Sequence, residues 1–176
     1  MSGITIERVQ AVSDDIVEAL ADLLVDAVSS GAGVSFMSGL QPHEAREWWR
    51  KTLASSPSRA VVLVARDENG IIGTVQMQPS WAPNQPHRGD VTKLLVHRRG
   101  RRRGIARSLM QELERYSAAE NITLLLLDTC RGTAAERLYS SLGWNRVGVV
   151  PSFALNPDGS PCDTVFFYKE LGVIAR

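Results

Sequence analysis

The stretch that most constrains the fold is residues 90–121, DVTKLLVHRRGRRRGIARSLMQELERYSAAEN. Residues 90–96 are apolar and β-branched, which predicts a short strand. After Gly104 the apolar residues recur every three or four positions, which predicts an amphipathic helix. Between the two, six of the ten residues from Arg98 to Arg107 are arginine. The stretch therefore predicts a strand, a basic turn and a helix in direct succession.

A basic turn that opens a helix is suited to binding phosphate. The first amides of a helix have no internal acceptor, and the aligned peptide dipoles make them partly positive. Gly104 would let an anion approach the backbone without meeting a Cβ atom. The alternatives are a solvated basic surface and a nucleic-acid patch. The helix turns acidic at Glu112 and Glu114 and no stacking aromatics flank the turn, so we expect no nucleic-acid partner.

Length and composition narrow the class of protein. A chain of 176 residues is long enough for one domain with its own core, so we expect a single domain over residues 1–176. No apolar run reaches the ~18 residues of a membrane span. The two cysteines, Cys130 and Cys162, do not form a disulfide framework, which predicts a reducing, cytoplasmic compartment. No cysteine–histidine cluster has metal-site spacing, so we expect no metal.

The order of predicted elements gives the fold class. Hydrophobic periodicity and turn residues predict the order β-α-α-β-β-β-α-β-α-β-β. The hairpin around Asn69-Gly70 and the proline at position 42, in the first turn of the second helix, are its clearest local signals. We expect an α+β (mixed α/β) protein with helices on a mixed sheet. Strands 90–96 and 122–128, which flank one helix, should be parallel with a right-handed crossover.

Two motifs resemble the GNAT superfamily of N-acetyltransferases. Residues 101–106, RRRGIA, are similar to its (Arg/Gln)-x-x-Gly-x-(Gly/Ala) pyrophosphate signature, and residues 133–144, TAAERLYSSLGW, are similar to its Ala-x-x-Leu-Tyr-x-x-x-Gly-aromatic helix. The resemblance implies the GNAT fold, in which a central twisted sheet has two splayed parallel strands. It also implies acetyl-CoA as cofactor and direct transfer of the acetyl group to an amine.

The same resemblance implies the cofactor site. Backbone groups of Leu95 and Val96 would pair with the pantetheine amides, and the Val96 amide would face the acyl carbonyl. The pyrophosphate and its surroundings would be bound by Arg101, Arg102, Arg103, Gly104, Ile105, Ala106 and Ser108. The sequence departs from the family pattern at Arg102, where glycine is usual, and at Gly132, where many members carry asparagine.

Three residues are candidates for the transfer chemistry. Tyr139 matches the tyrosine that family members often place near the coenzyme sulfur, and a phenol of pKa ~10 can protonate a thiolate or donate a hydrogen bond to it. Asp128 and Asp90 stand on the two parallel strands, where a carboxylate could bind the ammonium or take its proton. The structural alternatives are a helix-stripe position for Tyr139 and a turn acceptor for Asp128. His87 and His97 read as solvated surface.

A narrower resemblance concerns the acceptor, meaning the amine that receives the acetyl group. From about residue 30 onward the chain resembles the tabtoxin resistance acetyltransferase subgroup, which acetylates a small amino-acid-like β-lactam toxin. This implies a small amino-acid-like amine as substrate, with walls from Phe36, Met37, Trp81 and residues 151–164. The glycine-rich segment 31–40 is either a flexible connection or a lid. The alternatives are a peptide or protein N-acetyltransferase and a non-catalytic acyl-CoA sensor. For each of these functions we expect a monomer or a homodimer.

Overall fold

A computed structural model describes residues 3–172, in which seven strands form one sheet with helices on both faces. The strands are β1 (Thr5–Arg8), β2 (Val61–Asp67), β3 (Gly70–Pro79), β4 (Arg88–Val96), β5 (Leu124–Cys130), β6 (Asn145–Leu155) and β7 (Pro161–Glu170). The helices are α1 (Asp14–Ser29), α2 (Pro42–Ala54), α3 (Ile105–Ala119) and α4 (Ala134–Ser141), with a single 3-10 turn at Arg98–Gly100. The predicted order of elements and the mixed fold class are confirmed.

The sheet order is β1-β2-β3-β4-β5-β7-β6. Among the described strands, β4 and β5 are the one parallel pair, as the helix between them predicts, and every other neighbouring pair is antiparallel. Residues Arg88–Asp90 of β4 pair with Leu124–Leu126 of β5, and their pairing ends there. A cleft therefore opens in the middle of the sheet directly after Asp90.

A β-bulge explains why the two parallel strands separate. Thr74 of β3 lies opposite Leu95, whereas Gln76, two residues on, lies opposite Thr92, three residues back along β4. The extra residue bends the strand that carries it. Lys93, inside the bulge, has a φ of 53°, which a lysine rarely adopts. The bend turns the second half of β4 away from β5.

Each face of the sheet has its own core. Helices α3 and α4 cover one face, where Leu109, Met110 and Leu113 of α3 are fully buried. Helices α1 and α2 cover the other face, around Leu20 and Trp49. Helix α3 lies almost against the backbone of β3, because a Cβ atom on Gly73 would be 3.0 Å from Ile105 Cγ2. Both helix layers therefore position the edges of the cleft.

The bounds of the two central strands differ from the predicted ones. Strand β4 begins at Arg88, and strand β5 runs to Cys130, so Asp128 lies inside the strand and not at its end. Strand β6 is long, because its pairing with β7 resumes after a register shift, at Ala154 and Leu155. Helix α1 begins with a side-chain cap. Ser13 is the N-cap, and its hydroxyl accepts a hydrogen bond from the Ile16 amide at 3.4 Å.

The two cysteines form a disulfide, which the sequence analysis did not predict. Cys130 ends β5 opposite Thr164, and Cys162 lies two residues before Thr164 on β7. The antiparallel pairing brings their Cα atoms to 6.0 Å although they are 32 residues apart in the chain. The expectation of a reducing compartment depended on unpaired cysteines and loses its basis.

Candidate active site

The cleft opens into a cavity of about 1060 Å³. Its floor comes from the β4 bulge and the end of β5, and its walls come from the start of α4 and from β6 and β7. Residues 30–37, between α1 and α2, form its roof. Of the predicted site residues, the structure places Asp128, Tyr139, Phe36 and Met37 in its lining.

Asp128 and Lys93 give the cavity opposite charges on two strands. The Asp128 carboxylate is open to the cavity, whose walls still remove enough water to raise its pKa above the ordinary value. The Lys93 ammonium moderates this increase, and the Asp90 carboxylate adds to it. Burial lowers the pKa of Lys93, and Asp128 opposes that change. A carboxylate that holds its proton more readily than usual is suited to accept one from an amine.

Tyr139 is positioned by α4 and by aromatic neighbours. Thr133 caps the helix by accepting a hydrogen bond from the Glu136 amide at 3.3 Å. The Tyr139 ring packs 6.0 Å from Trp144 and 5.9 Å from Phe167, centroid to centroid. Burial, with a smaller effect of Asp128, raises the pKa of Tyr139 far above its ordinary value, so the phenol stays protonated. The tyrosine therefore belongs to the core and to the cavity at once, and its hydroxyl has a hydrogen to donate there.

Of the predicted catalytic and acceptor-binding residues, Asp90 and Trp81 lie outside the cavity lining, and so do all the predicted cofactor-binding residues. Asp90 is the last β4 residue paired with β5, and its carboxylate accepts a hydrogen bond from Arg88 at 3.1 Å. Asp90 affects the cavity only electrostatically, because its negative charge raises the pKa of Asp128. Trp81 follows β3 in the loop before β4, and its side chain is 90% exposed. The structure therefore does not bring Trp81 together with Phe36 and Met37.

The roof has anchors on both sides of the cavity. The Ser38 amide donates to the Pro157 carbonyl in the β6–β7 turn at 2.8 Å. Phe36 packs edge-on against Trp48 of α2, with ring centroids 5.5 Å apart. Lys93 Nζ donates to Ser35 Oγ at 3.2 Å and lies 5.1 Å from the centre of the Trp48 ring. The segment read from sequence as a connection or a lid is thus a fixed cover in this structure.

Lys93, Ser35 and Trp48 are functional candidates that the sequence analysis missed. Lys93 reads as an ordinary polar residue of an alternating strand, and only the bulge directs it to the roof. Its contact with Ser35 joins residues 58 positions apart. The pairing of strands β3 and β4 was predictable, but a one-residue bulge leaves no clear mark in the sequence.

The basic turn is held in place by two carboxylates. Asp67, at the end of β2, accepts hydrogen bonds from Arg99 at 2.9 and 3.0 Å and from Arg103 at 3.2 Å. Asp26, near the end of α1, binds the backbone amide and the guanidinium of Arg98. Burial alone would raise the pKa of Asp26, but the hydrogen bonds and nearby positive charges outweigh it and lower the pKa. Three of the arginines in the turn therefore serve its architecture.

The remaining features of the turn fit a pyrophosphate. Within residues 3–172, no hydrogen bond or ion pair engages the exposed guanidinium groups of Arg101 and Arg102. Gly104 is the N-cap of α3 and supplies no side-chain cap, and Ser108 is the first residue to donate back into the helix, at 3.1 Å to Gly104. The amides of Ile105 and Ala106 come before it. A Cβ atom on Gly104 would meet nothing within 4 Å, so the approach is open.

The backbone of β4 presents donors to the cleft in alternation. The His97 amide donates to Ile72 of β3 at 2.9 Å, and Val96 and Gly73 are register partners. In an antiparallel ladder, the backbone N–H and C=O groups of successive residues point to opposite sides of the strand. The backbone groups of Leu95 therefore point to β3, and those of Val96 point to the cleft. Leu94, which the sequence analysis did not name, faces the cleft as well and lines the cavity. Among the predicted pair, Val96 is therefore the residue with backbone groups available to a ligand.

The described residues limit other classes of site. Between residues 3 and 172, no helix is long and apolar enough to cross a membrane. Over the same range, no group of histidine, cysteine, aspartate or glutamate has the geometry of a metal site.

Comparison with known proteins agrees with this geometry. The profile of the Acetyltransferase (GNAT) family matches residues 20–144. The chain resembles a Salmonella typhimurium protein assigned as an acetyltransferase and solved with its cofactor acetyl-CoA, with a TM-score of 0.79, 17% identity and coverage of 98% of this chain and 96% of that one. A protein assigned as a phosphinothricin N-acetyltransferase matches with a TM-score of 0.80 and 19% identity, over 97% of this chain and 99% of that one.

A third structure represents protein acetylation. The ribosomal-protein-alanine N-acetyltransferase from Brucella melitensis matches with a TM-score of 0.78 and 21% identity, over 95% of this chain and 99% of that one. Such distant likenesses show the fold. The family profile, together with this fold, defines an acyltransferase that uses a coenzyme A thioester. With most of its length matched, the chain belongs to the GNAT acetyltransferase family, and its cofactor is acetyl-CoA.

Proposed function

We propose that this protein transfers the acetyl group of acetyl-CoA directly to a primary amine of a small amino-acid-like molecule. The observation that carries the proposal is the partly covered, charged cavity at the end of the cleft, where Asp128 and Tyr139 both line the wall. A roof anchored to the β6–β7 turn leaves a compartment suited to a small molecule better than an open groove suited to a chain. We assign the whole function to a single domain over residues 1–176.

The acetyl thioester supplies the activated acyl group, and the protein supplies position and proton transfer. The turn at the start of α3 binds the pyrophosphate through the amides of Arg103, Gly104, Ile105 and Ala106, and Arg101 and Arg102 add charge. Ser108 offers a hydroxyl in the first turn of the helix. The backbone of Val96 lines the pantetheine path, and that of Leu95, which faces β3, supports it from behind. The Val96 amide donates to the acyl oxygen as charge develops on it.

Asp128 takes a proton from the acceptor ammonium, directly or through water, so that a neutral amine can attack. Its raised pKa brings the carboxylate closer to the pKa of that amine, and Asp90 sustains the increase. Tyr139, a phenol kept protonated by burial, donates a hydrogen bond or its proton to the departing sulfur. Where the proton is transferred, the second proton of the amine nitrogen, released as the amide forms, restores the phenol. Phe36 and Met37 give the acceptor an apolar wall, and we assign Trp81 to the outer entrance.

Several finer assignments belong to this proposal. The likeness to the tabtoxin resistance subgroup and to the phosphinothricin N-acetyltransferase supports an amino-acid-like acceptor, including an antibiotic or toxin. We propose a cytoplasmic enzyme because acetyl-CoA is required, while the Cys130–Cys162 disulfide is the feature that opposes this location. We propose a monomer or a homodimer.

A peptide or protein acceptor is the second candidate, and the Brucella structure is the observation that favours it. The deciding experiment measures coenzyme A release from acetyl-CoA with amino acids, amino-acid analogues, aminoglycosides, polyamines and peptides as acceptors. Rapid release with a small amine supports the proposal, and release with peptides alone supports the second candidate. Binding of acetyl-CoA without release in any mixture would indicate a sensor and contradict both.

A further inference from the structure

The ammonium group of Lys93 makes contacts that the proposed transfer reaction does not use. Its Nζ atom lies 3.2 Å from Ser35 Oγ, 5.1 Å from the centre of the Trp48 ring and 5.8 Å from that of Phe36. No carboxylate within residues 3–172 forms an ion pair with it. The aromatic faces attract the ammonium but do not neutralise it. The cavity therefore contains a cation whose charge has no partner in contact.

We propose that Lys93 and Ser35 form an anion subsite that binds the carboxylate of the acceptor, which makes the acceptor a free amino acid or a close analogue. This inference rests on the proposed function and names the substrate class of the same cavity. It assigns the roof a specificity role: the carboxylate lies at the Lys93–Ser35 end and the amine lies toward Asp128.

Lys93 and Ser35 both have hydrogen atoms left to donate to a ligand. Lys93 Nζ donates one of its three hydrogens to Ser35 Oγ, which leaves two for a ligand. Because Ser35 Oγ accepts from Lys93, its own hydroxyl hydrogen is free to point elsewhere. Both Lys93 and Ser35 line the cavity. A carboxylate needs two or more donors on one side, and these two side chains can supply them.

The placement of charge supports the orientation. Lys93 and Asp128 are too far apart for an ion pair in this structure, yet each shifts the pKa of the other. Two opposite charges that face one cavity from separate strands match the two ends of a zwitterion. Burial of an unpaired ammonium is unfavourable, and burial lowers the pKa of Lys93. A bound carboxylate would neutralise the ammonium and remove that cost, so we expect the cavity to select acceptors that carry a carboxylate.

A purely structural role for Lys93 gives a different pattern. If the lysine only anchored the roof through Ser35, Phe36 and Trp48, its loss would affect every acceptor equally. An anion subsite affects acceptors that carry a carboxylate and spares those that lack it. The comparison that separates the two roles is therefore between an amino acid and its own carboxamide.

The experiment measures kcat/KM for the twenty L-amino acids and their carboxamides with wild type, Lys93→Gln, Lys93→Arg and Ser35→Ala. For the best amino acid we expect wild type to prefer the carboxylate by at least 10-fold. Lys93→Gln should lower kcat/KM for it about 10- to 100-fold, as for loss of a charged hydrogen bond, and change the carboxamide by less than about 3-fold. Lys93→Arg should restore part of the preference, and Ser35→Ala should remove a smaller part. Lys51→Gln, an exposed lysine of α2, is the matched control and should behave as wild type.

Each outcome separates this inference from the proposed function. Turnover of carboxamides and amino acids at equal rates, or an equal loss for both in Lys93→Gln, would overturn the subsite and leave the transferase intact. If no amine is acetylated, calorimetry with coenzyme A present compares binding of the same pairs. A carboxylate preference that depends on Lys93 would support the subsite while the proposed function fails. Equal binding of both would overturn the subsite as well.

Discussion

Asp67 accepts two hydrogen bonds from the Arg99 guanidinium, at 2.9 and 3.0 Å, and so ties the end of β2 to the basic turn before α3. The same carboxylate accepts from Arg103. Hydrogen bonding from Arg99 lowers the pKa of Asp67, despite partial burial, which acts in the opposite direction. One acidic side chain thus sets the shape of the turn that we propose as the pyrophosphate site.

Asp67→Asn should weaken coenzyme A binding. It should also lower the free energy of unfolding at neutral pH, by an amount that becomes smaller in acid. A carboxylate whose folded pKa lies below 3.8, its unfolded value, contributes stability that is present above that pH and is lost as pH falls through the folded pKa. The difference in unfolding free energy between wild type and Asp67→Asn should therefore shrink as pH decreases below about 4. Urea unfolding at pH 7 and pH 3 measures it. Asp14→Asn, in the exposed pair with Arg50, is the control, and an equal effect of both would contradict this role.

Gly104→Ala should weaken coenzyme A binding more than its effect on stability explains. Gly104 and Gly143 both have a φ of 76° and open space where a Cβ would lie, so alanine strains both positions similarly, by about 1 kcal/mol. A methyl group stands in the anion path only at position 104. Calorimetry should show at least a 10-fold higher Kd for Gly104→Ala and little change for Gly143→Ala. Similar affinities for the two variants would argue against a pyrophosphate site there.

Asp128→Asn should lower turnover without loss of stability. General-base catalysis contributes about 10²- to 10⁴-fold, so kcat should fall by at least 10² while the Kd for coenzyme A is unchanged. The rate of wild type should rise with pH as Asp128 ionises, above its ordinary pKa of 3.8, and the variant should lack that rise. Because the folded pKa is raised, ionisation above it disfavours the folded state, so the amide should not lower the melting temperature at pH 7. Asp22→Asn, on the exposed side of α1, provides the comparison.

Tyr139→Phe should separate proton donation from packing. Phenylalanine keeps the ring contacts with Trp144 and Phe167, so the unfolding free energy should change by about 1 kcal/mol or less. Loss of the phenol should reduce kcat about 10²-fold. Tyr116→Phe, at a partly buried position of α3 that does not line the cavity, should leave kcat unchanged. Full turnover by Tyr139→Phe would limit Tyr139 to the aromatic cluster.

Gly73→Ala tests the close packing of α3 on the sheet. The added Cβ would lie 3.0 Å from Ile105 Cγ2 and 3.2 Å from the Leu95 carbonyl oxygen, and backbone cannot yield as a side chain does. We expect a loss of about 1–3 kcal/mol in unfolding free energy, measured by urea denaturation. Gly148→Ala, which has nothing within 4 Å, should cost far less. Similar values for both would show that α3 shifts to make room.

The sequence predicted the frame of the site better than its contents. Periodicity and the Asn69-Gly70 turn gave the element order because these signals are local. The resemblance gave Tyr139, and the position of Asp128 on a parallel strand gave the carboxylate; the structure brings both into one cavity. Lys93 was missed because its position depends on a bulge and on a partner 58 residues away. The disulfide was missed for a similar reason, since only the β5–β7 register brings Cys130 and Cys162 together.

The arginine run shows a second limit of sequence reading. All six residues look alike in the chain, yet Arg98, Arg99 and Arg103 bind carboxylates of Asp26 and Asp67. Arg101 and Arg102 remain exposed at the turn. Which arginine meets a carboxylate depends on where distant elements end, and that is fixed only by the tertiary structure.

The roof is joined to the β6–β7 turn by a bond between backbone atoms, from the Ser38 amide to the Pro157 carbonyl. Such a link does not depend on which side chains the two segments carry. Met37 can therefore change while the cover stays attached, and the basic turn before α3, on another part of the sheet, is untouched. In evolutionary terms, the choice of acceptor can drift independently of the capacity to bind acetyl-CoA.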